Sequence, residues 1–214
     1  MSRVFLASRN PKKIAEMQRI LVEHLPGIEV LGLDDVEPYD EPAETEPTFE
    51  GNARLKAAAA VRATGLPSLA DDSGLCVDAL NGMPGVLSAR WAGSLSGDGP
   101  EKDRANNELL LAQLADVPDE RRTARFCCAV VFLQPTPEGV VEHAVEGEMS
   151  GRVIREMRGA GGFGYDVLFC ADGHDVTTAE LSIDEKDAIS HRGKALRKVA
   201  PLVAAALGTG PPTS

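Results

Sequence analysis

Two adjacent carboxylates, Asp71 and Asp72, are the residues of this sequence best suited to chemistry, and Ser73 and Gly74 follow them directly. The short apolar run before them, Pro67 to Ala70, predicts a strand that ends in a turn at the carboxylates. The ends of strands are where α/β proteins place ligand-binding groups. Paired carboxylates there suit Mg²⁺, which prefers oxygen ligands and usually bridges one or two carboxylates to the phosphates of a substrate. Taken alone, the segment is equally consistent with an ordinary surface turn.

A second group, Ser8-Arg9-Asn10-Pro11-Lys12-Lys13, stands where a predicted strand gives way to a predicted helix. The start of a helix offers free backbone N–H groups and a positive dipole end to an anion. Lys13 falls in the first helical turn, where a cation opposes the dipole, so its position makes better sense if a phosphate binds there. The chain contains no GxxxxGK[ST] motif, which excludes a Walker P-loop. The alternative is a capped helix with two solvated lysines.

A glycine-rich stretch with aromatic residues lies in the second half of the chain, where Gly159 to Asp166 reads GAGGFGYD. Four glycines among six residues allow a ligand to approach the backbone closely. Phe163 or Tyr165 offers a flat face on which a nucleobase can stack. A loop that only connects two elements is the alternative, but two aromatic rings in one loop favour a ligand.

A fourth group, Ser190-His191-Arg192, is preceded by Lys186 and predicts the start of the last helix, with Ser190 as its N-cap. His191 and Arg192 then lie in the first turn, where cations are unfavourable without a nearby anion. Their N–H groups can donate to a carbonyl oxygen or to a phosphate.

The elements that must position these groups alternate between strand and helix in the first half of the chain. Arg3 to Ala7 predicts a buried strand, a helix begins at Pro11, and Ile28 to Leu33 predicts a second strand. An acidic loop follows, from which Glu44 could join the metal ligands, and Thr48 leads into a second helix.

The second half of the chain combines helices with a long hairpin. A third helix is predicted over Glu101 to Ala115, and two strand-like runs, Thr123 to Leu133 and Val140 to Glu148, are separated by proline and glycine. The last helix ends at Gly208, and residues 209–214 predict a flexible tail. Together these elements predict an α/β fold with a mixed sheet, in a single elongated domain over residues 1–208 with two lobes around a central substrate cleft.

The composition of the 214-residue chain narrows the class of protein. With 43% hydrophobic and 26% charged residues, the chain predicts a globular protein rather than a disordered or a membrane protein. Its net charge of -11 argues against binding a nucleic acid polymer, whose phosphates need Lys and Arg. Ten of the acids lie between Ile20 and Ala53, where there is no Lys or Arg, so 23 acids face 22 bases in the rest of the chain. A local basic pocket is therefore compatible with the composition.

Cysteine usage and the lack of long apolar runs bear on location. The four cysteines form no CxxC pair and have no histidine at metal-ligand spacing, which predicts reduced thiols. No apolar stretch approaches the roughly eighteen residues of a membrane span, and the N-terminal apolar run is too short for a signal peptide. We therefore expect a cytoplasmic protein with no membrane contact.

These groups, in this order, resemble the inosine triphosphate pyrophosphatase family, the Ham1-like dITP/XTP pyrophosphatases. Six stretches carry the resemblance, and together they extend from Leu6 to about Leu207. They are Leu6 to Lys13, Thr48 to Ala53 with Lys56, Leu69 to Leu75, Gly82 to Arg90, Gly161 to Asp166, and Ser190 to Leu196.

The resemblance implies an ITPase-like homodimer that hydrolyses non-standard purine nucleoside triphosphates, such as ITP, dITP and XTP, to the monophosphate and pyrophosphate. Such an enzyme uses Mg²⁺ and removes these nucleotides before they enter DNA or RNA. Asp72 is then the catalytic carboxylate and, with Glu44, a ligand of the metal. The implied substrate-binding residues are Ser8, Arg9, Asn10, Pro11, Lys12, Lys13, Lys56, Ser73, Phe163, Gly164, Tyr165, Asp166, Lys186, His191 and Arg192.

Two other functions remain open at this level. The chain could be a nucleotide-binding sensor that does not hydrolyse its ligand, or a related pyrophosphatase that acts on other modified nucleotides.

Two local features depart from the family pattern, namely a Gly/Ser-rich loop from Ser94 to Pro100 and the proline-containing tail.

Overall fold

The computed structural model describes residues 2–93 and 99–208. For Lys12 it describes the backbone only. The described residues form six strands and five α-helices. In chain order these are β1 (Arg3–Leu6), α1 (Pro11–His24), β2 (Glu29–Leu31), α2 (Phe49–Thr64), β3 (Ser68–Val77), α3 (Gly99–Gln113), β4 (Thr123–Thr136), β5 (Gly139–Val153), β6 (Phe169–Ala171), α4 (Ile183–Ile189) and α5 (His191–Gly208).

One mixed sheet contains all six strands in the order β2-β1-β3-β4-β5-β6. Strand β1 runs parallel to both β2 and β3, and β5 runs antiparallel to β6. The predicted α/β class with a mixed sheet is therefore confirmed. Strands β4 and β5 are neighbours joined by a short turn, which is the long hairpin that the sequence predicted.

The chain divides into two compact units. Within the described residues, the first unit consists of 2–72, 129–146 and 194–208, and the second of 73–93, 99–128 and 147–193. In the first unit, Phe5 and Leu33 pack with Ala60, and Ala53 and Ala57 of α2 pack on Val131 and Leu133 of β4. In the second unit, Leu110 of α3 and Leu114, which directly follows the helix, pack with residues of β3, β4 and β5 and with Leu168 and Phe169.

The starts of α1, α2 and α5 agree with the sequence predictions because local side chains determine them, whereas α3 begins two residues before the predicted Glu101. Helix α1 begins at Pro11, and α5 spans the predicted range to Gly208. The Ser190 hydroxyl accepts a hydrogen bond from the Gly193 N–H at 3.0 Å, and the Thr48 hydroxyl accepts one from the Gly51 N–H at 3.0 Å. Both hydroxyls therefore cap the helices that follow them.

The sequence prediction was wrong at Asp71 to Gly74, where a strand end was expected. Strand β3 runs unbroken from Ser68 to Val77, so the two carboxylates lie in the middle of a ten-residue strand. Burial alternates along it, with Asp72 and Gly74 buried and Asp71 and Ser73 half-buried. Side chains of successive strand residues point to opposite faces, so adjacent Asp71 and Asp72 are presented to different surroundings.

Other features were missed or lie outside the described residues. The sequence analysis predicted neither the three-residue strand β6 nor the short helix α4. The loop at 94–98 and the tail at 209–214 fall outside the described residues. No helix among the described residues is both long enough and apolar enough to cross a membrane. All four cysteines are present as free thiols.

Candidate functional site

The first unit holds a group of charged side chains that we call the carboxylate–lysine cluster, and its central residue is Asp72. Only 8% of Asp72 is exposed. One carboxylate oxygen accepts a hydrogen bond from the Asn52 side-chain amide at 3.1 Å, and the other accepts one from Lys56 Nζ at 3.1 Å. Asn52 and Lys56 are four residues apart on α2, which places them on the same helical face. The members of the cluster are Lys13, Glu44, Lys56, Asp71 and Asp72.

Lys56 connects Asp72 to the acidic loop, because its ammonium group also donates to Glu44 at 3.0 Å. Burial lowers the pKa of Lys56, but the charges of Asp72 and Glu44 outweigh this effect and raise it overall, so Lys56 is protonated. Burial raises the pKa of Asp72 in spite of the opposing effect of Lys56. A carboxylate that is partly deprived of water in this way is a better proton acceptor than a solvated one.

Asp71 contacts a different lysine on a different helix. Lys13 Nζ, in the first turn of α1, donates to both oxygens of Asp71, at 2.9 Å and 2.8 Å. The sequence analysis expected a phosphate near Lys13, whereas in this structure its partner is the carboxylate of Asp71. Residues Asp71 and Asp72 are therefore each paired with a lysine.

The residues before α1 surround the start of the helix. The Asn10 N–H donates to the Ser8 hydroxyl at 3.1 Å, and the exposed Arg9 forms a close ion pair with Glu41. A pocket in this unit is lined by Ala7, Tyr39, Glu41, Pro42, Glu44 and Lys56. The side chain of Lys12 lies outside the part of the chain that the structure describes.

The carboxylate–lysine cluster has the oxygen donors that Mg²⁺ prefers. Within residues 2–93 and 99–208, no three His, Cys, Asp or Glu side chains are arranged to hold a metal ion. However, Mg²⁺ commonly uses one or two carboxylates and completes its coordination with water and substrate phosphates. Asp72 and Glu44 already share one cation, the ammonium group of Lys56. Their chemistry therefore fits a small divalent cation that arrives with a phosphate ligand.

The second unit holds the glycine-rich loop, residues 159–164, whose backbone is shaped by a buried aspartate. The Asp166 carboxylate accepts hydrogen bonds from the Phe163 N–H at 2.8 Å and the Thr178 hydroxyl at 2.8 Å, and from Lys186 at close range. Gly162 has a φ of 73°, and a Cβ atom there would lie 2.2 Å from Asp166 Oδ2. Only glycine can occupy this position. We call Phe163, Asp166, Thr178 and Lys186 the glycine-loop cluster.

The two aromatic residues of this segment have different surroundings. Phe163 is 64% exposed, and Lys186 Nζ lies 5.3 Å from the centre of its ring. Tyr165 is 4% exposed and packs in the core, where its hydroxyl donates to the Ser88 carbonyl at 2.9 Å. The expectation that either ring could stack on a base is thus corrected for Tyr165, because its ring has no exposed face. Phe163 is the ring that a base can reach.

Residues at the start of α5 complete the sequence-predicted set. The His191 ring stacks on Phe126 with the ring centres 5.0 Å apart, and Arg192 Nη2 lies 3.5 Å from the Ser73 hydroxyl. Both belong to the first turn of α5, as predicted. The structure therefore places Ser73, His191 and Arg192 in the same unit as the glycine-loop cluster.

Asn52 was missed by the sequence analysis. It is fully buried, and its side-chain oxygen accepts a hydrogen bond from the Glu46 N–H at 2.9 Å while its amide donates to Asp72. It therefore fixes the acidic loop and the carboxylate at the same time. Its spacing of four residues before Lys56 was the available signal, since both had to face the same direction on α2.

Comparison with known proteins gives one consistent result. A sequence model of the Ham1 family matches residues 4–202. The chain is 58% identical over 206 residues to a protein of Nocardia farcinica named dITP/XTP pyrophosphatase, and the match covers 96% of each chain. It is 55% identical to a protein of Frankia alni with the same name, covering 94% of this chain and 96% of the relative.

Solved structures agree with these sequence matches. A crystal structure of a nucleoside-triphosphatase / dITP/XTP pyrophosphatase from Mycobacterium abscessus is 51% identical, with a TM-score of 0.76, and covers 93% of this chain and 99% of that one. A HAM1 protein from Coxiella burnetii is 38% identical, with a TM-score of 0.84, and covers 96% of this chain and 100% of that one.

Proposed function

The chain belongs to the Ham1 family, and we propose that it hydrolyses non-standard purine nucleoside triphosphates, dITP, ITP and XTP, to the monophosphate and pyrophosphate. The observation that carries this proposal is the buried carboxylate of Asp72, held by Asn52 and Lys56 beside a second lysine–aspartate pair. Relatives that match nearly the whole chain are named dITP/XTP pyrophosphatase.

The proposed reaction is attack of water on the α-phosphorus of the substrate. Asp72 accepts a proton from that water as the new P–O bond forms, and the bond to the pyrophosphate group breaks. General base catalysis of this kind contributes roughly 10²–10⁴-fold. Burial, which raises the pKa of Asp72, favours this role.

The lysines neutralise the phosphates in this proposal. Lys13 and Lys56 are each paired with carboxylates, and the oxygens of a triphosphate can replace those carboxylates as partners. The N–H groups at the start of α1, with Ser8 to Lys12, add donors at the same place. Asp72 and Glu44 are the residues that would hold Mg²⁺, which stabilises charge on transferred phosphoryl groups and orients water.

The glycine-loop cluster and the start of α5 are the residues proposed for the nucleoside part of the substrate. Phe163 provides the exposed ring on which the base stacks, and Lys186, His191 and Arg192 supply N–H donors. Donors that face the 6-keto oxygen of hypoxanthine or xanthine would be left unpaired by the 6-amino group of adenine. A mismatch of that type can discriminate by about 10⁴-fold.

The test is pyrophosphate release from a panel of ITP, dITP, XTP, GTP and ATP with Mg²⁺, repeated with EDTA. We expect rapid release of pyrophosphate from the first three only, and loss of activity with EDTA. Release of orthophosphate would contradict the mechanism, and binding of ITP without any product would favour a sensor. A preference for another modified nucleotide would change the proposed substrate but not the proposed reaction.

We also propose that the protein acts as a cytoplasmic homodimer and that residues 1–208 form one ITPase-like domain. The match of the family model over 4–202 supports the single domain, and the free thiols support the location. The dimer rests on the family resemblance alone. Light scattering on the purified protein would measure its oligomeric state, and a monomer with full activity would contradict the dimer.

A further inference from the structure

Helix α3 presents an unusual face to the core of the second unit. Asp103, Asn107 and Leu110 recur at intervals of four and three residues, which places them in one stripe along the helix, and Leu114 directly follows its last residue, Gln113. The two leucines are fully buried and pack with Tyr165 and Leu168. The first two positions of the stripe, where the pattern would favour apolar residues, are polar instead.

The partner of these polar residues is the backbone of Gly164 in the glycine-rich loop. The Gly164 N–H donates to Asp103 Oδ2 at 2.7 Å, and the Asn107 side-chain amide donates to the Gly164 carbonyl at 2.9 Å. Both polar groups of one peptide residue are thus held by α3. Gly164 has a φ of 59°, a left-handed backbone conformation that glycine adopts more readily than other residues.

The position of Gly164 determines the position of Phe163. The N–H of Phe163 is fixed by Asp166, and the N–H of the next residue is fixed by Asp103. The backbone from which the exposed Phe163 side chain projects is therefore held by two carboxylates. Asn107 is 2% exposed, and its Oδ1 atom is buried with no hydrogen-bond partner among the described residues. An apolar residue would avoid that unpaired acceptor, so the two bonds that the amide donates, to Gly164 and to the Asp103 carbonyl one turn earlier at 2.8 Å, are what favour asparagine here, and only the first reaches the glycine-rich loop.

We propose that Asp103 and Asn107 are positioning residues for nucleobase binding, which act through the backbone of Gly164 and do not touch the substrate. The proposal rests on the proposed function, in which Phe163 receives the base. It predicts that loosening the loop weakens nucleoside binding and leaves the phosphate-binding residues of the first unit unaffected.

The chain offers a matched control in Asn106. It lies on the same helix, is 3% exposed, and its side-chain oxygen accepts from the Ala92 N–H at 2.7 Å rather than from the glycine-rich loop. Asn106→Ala therefore removes a similar side chain and a similar backbone contact without touching Gly164. Asp103→Asn is the conservative variant, because its side-chain oxygen can still accept from the Gly164 N–H.

The first measurement is amide hydrogen exchange over residues 159–168 in the ligand-free protein. We expect exchange of the Gly164 N–H to be about tenfold faster in Asp103→Ala and in Asn107→Ala than in the wild type, since a local hydrogen bond is lost. Asn106→Ala and Asp103→Asn should match the wild type. If exchange in Asp103→Ala and Asn107→Ala is unchanged, the positioning role is overturned, whatever the enzyme hydrolyses.

The second measurement separates KM from kcat for ITP and adds inhibition by pyrophosphate. Asp103→Ala and Asn107→Ala should raise the KM for ITP by about fivefold, with kcat within about twofold and pyrophosphate inhibition unchanged. Asp103→Asn should restore the KM. An equal rise of KM in Asn106→Ala, or faster exchange without any change in KM, would overturn the proposal. A wild-type protein that does not hydrolyse ITP would contradict the proposed function instead, and the exchange data would still decide whether α3 fixes the loop.

Discussion

The carboxylate–lysine cluster and the glycine-loop cluster both contain an aspartate–lysine pair, but the pair has a different role in each. Each contains a buried aspartate in contact with a lysine: Asp72 with Lys56 in the first unit, and Asp166 with Lys186 in the second. Asp72 is 8% exposed and Asp166 is 4% exposed. Burial and a lysine partner alone therefore do not distinguish a reactive carboxylate from a structural one.

The donors around each carboxylate make the distinction. Among the described residues, Asp166 accepts hydrogen bonds from the Phe163 N–H of the glycine-rich loop, from the Thr178 hydroxyl and from Lys186 of α4. Asp72 accepts from Asn52 and from a lysine that it shares with Glu44. A carboxylate whose donors serve it alone organises its surroundings, whereas one that shares its lysine with a second carboxylate can exchange that lysine for a proton, a metal ion or a phosphate-bound partner.

The largest effect is expected when the two aspartates are compared by the same substitution. Asp72→Asn removes the proton acceptor, so kcat for ITP should fall by about a thousandfold. Asp166→Asn should change kcat by no more than about threefold. Steady-state pyrophosphate release measures both. Retention of more than about a tenth of the activity by Asp72→Asn would remove that residue from the catalytic role.

Asp71→Asn resolves which of the adjacent carboxylates is reactive. Asp71 is paired with Lys13, and Asp72 with Lys56 and Asn52. The comparison predicts a much smaller loss of kcat for Asp71→Asn than for Asp72→Asn in the same assay. Equal losses would mean that the two carboxylates act as one unit.

Substitutions in the glycine-loop cluster should change the KM for ITP. Asp166→Asn removes the charged acceptor of the Phe163 N–H and the partner of Lys186, so the KM for ITP should rise by about tenfold. Asp175→Asn is the control, because it removes the same charge from a fully exposed side chain of the same unit. A rise of KM in both variants would indicate an effect of net charge rather than of loop position.

Phe163→Ala tests the same cluster at its exposed ring. Loss of a stacking face should raise the KM for ITP by about fivefold, at the lower end of what one stacked base contributes. Ile183 is also exposed in this unit, at 78%, so Ile183→Ala controls for the loss of an exposed apolar side chain. An unchanged KM in Phe163→Ala would show that the base does not stack there.

The contrast between the clusters also explains how much could be read from the sequence. The starts of α1, α2 and α5 were predictable because Pro11, Thr48 and Ser190 act on their own neighbours. The path of β3 was not, because Asp71 to Gly74 has the composition of a turn. The two carboxylates are stabilised within β3 by Lys13, Lys56 and the amide of Asn52. These partners lie 16 to 58 positions away in the sequence.

The site residues show the same division. The glycine-rich loop and its exposed Phe163 were found from composition, but the burial of Tyr165 was not, since it depends on the Ser88 carbonyl 77 residues away. The contact of Asp103 with Gly164 is equally remote, at 61 residues. Local signals therefore indicated which segments are candidates for binding, while the residues that orient those segments were visible only in the fold.

The smallest effect concerns stability, and the two aspartates should differ in its sign. Asp166→Asn weakens a set of fixed charge-assisted hydrogen bonds, which should lower the Tm by about 5 °C near pH 7. Asp72→Asn should leave the Tm unchanged or raise it, because burial disfavours the ionised carboxylate. Lys56 also keeps Glu44 as a partner at 3.0 Å in that variant. Thermal unfolding without nucleotide or metal measures both variants.

The pH dependence of this difference follows from the direction of the shift. Because the pKa of Asp72 in the folded protein is raised, its carboxyl group favours the folded state while it is protonated, and this contribution is lost as the pH rises through the folded pKa. Any increase in Tm caused by Asp72→Asn should therefore appear near pH 7 and vanish as the pH falls towards the pKa of an aspartate in the unfolded chain, about 3.9. A Tm that falls equally in both variants near pH 7 would mean that Asp72 is held as firmly as Asp166, and the distinction between a reactive and a structural aspartate would then rest on kinetics alone.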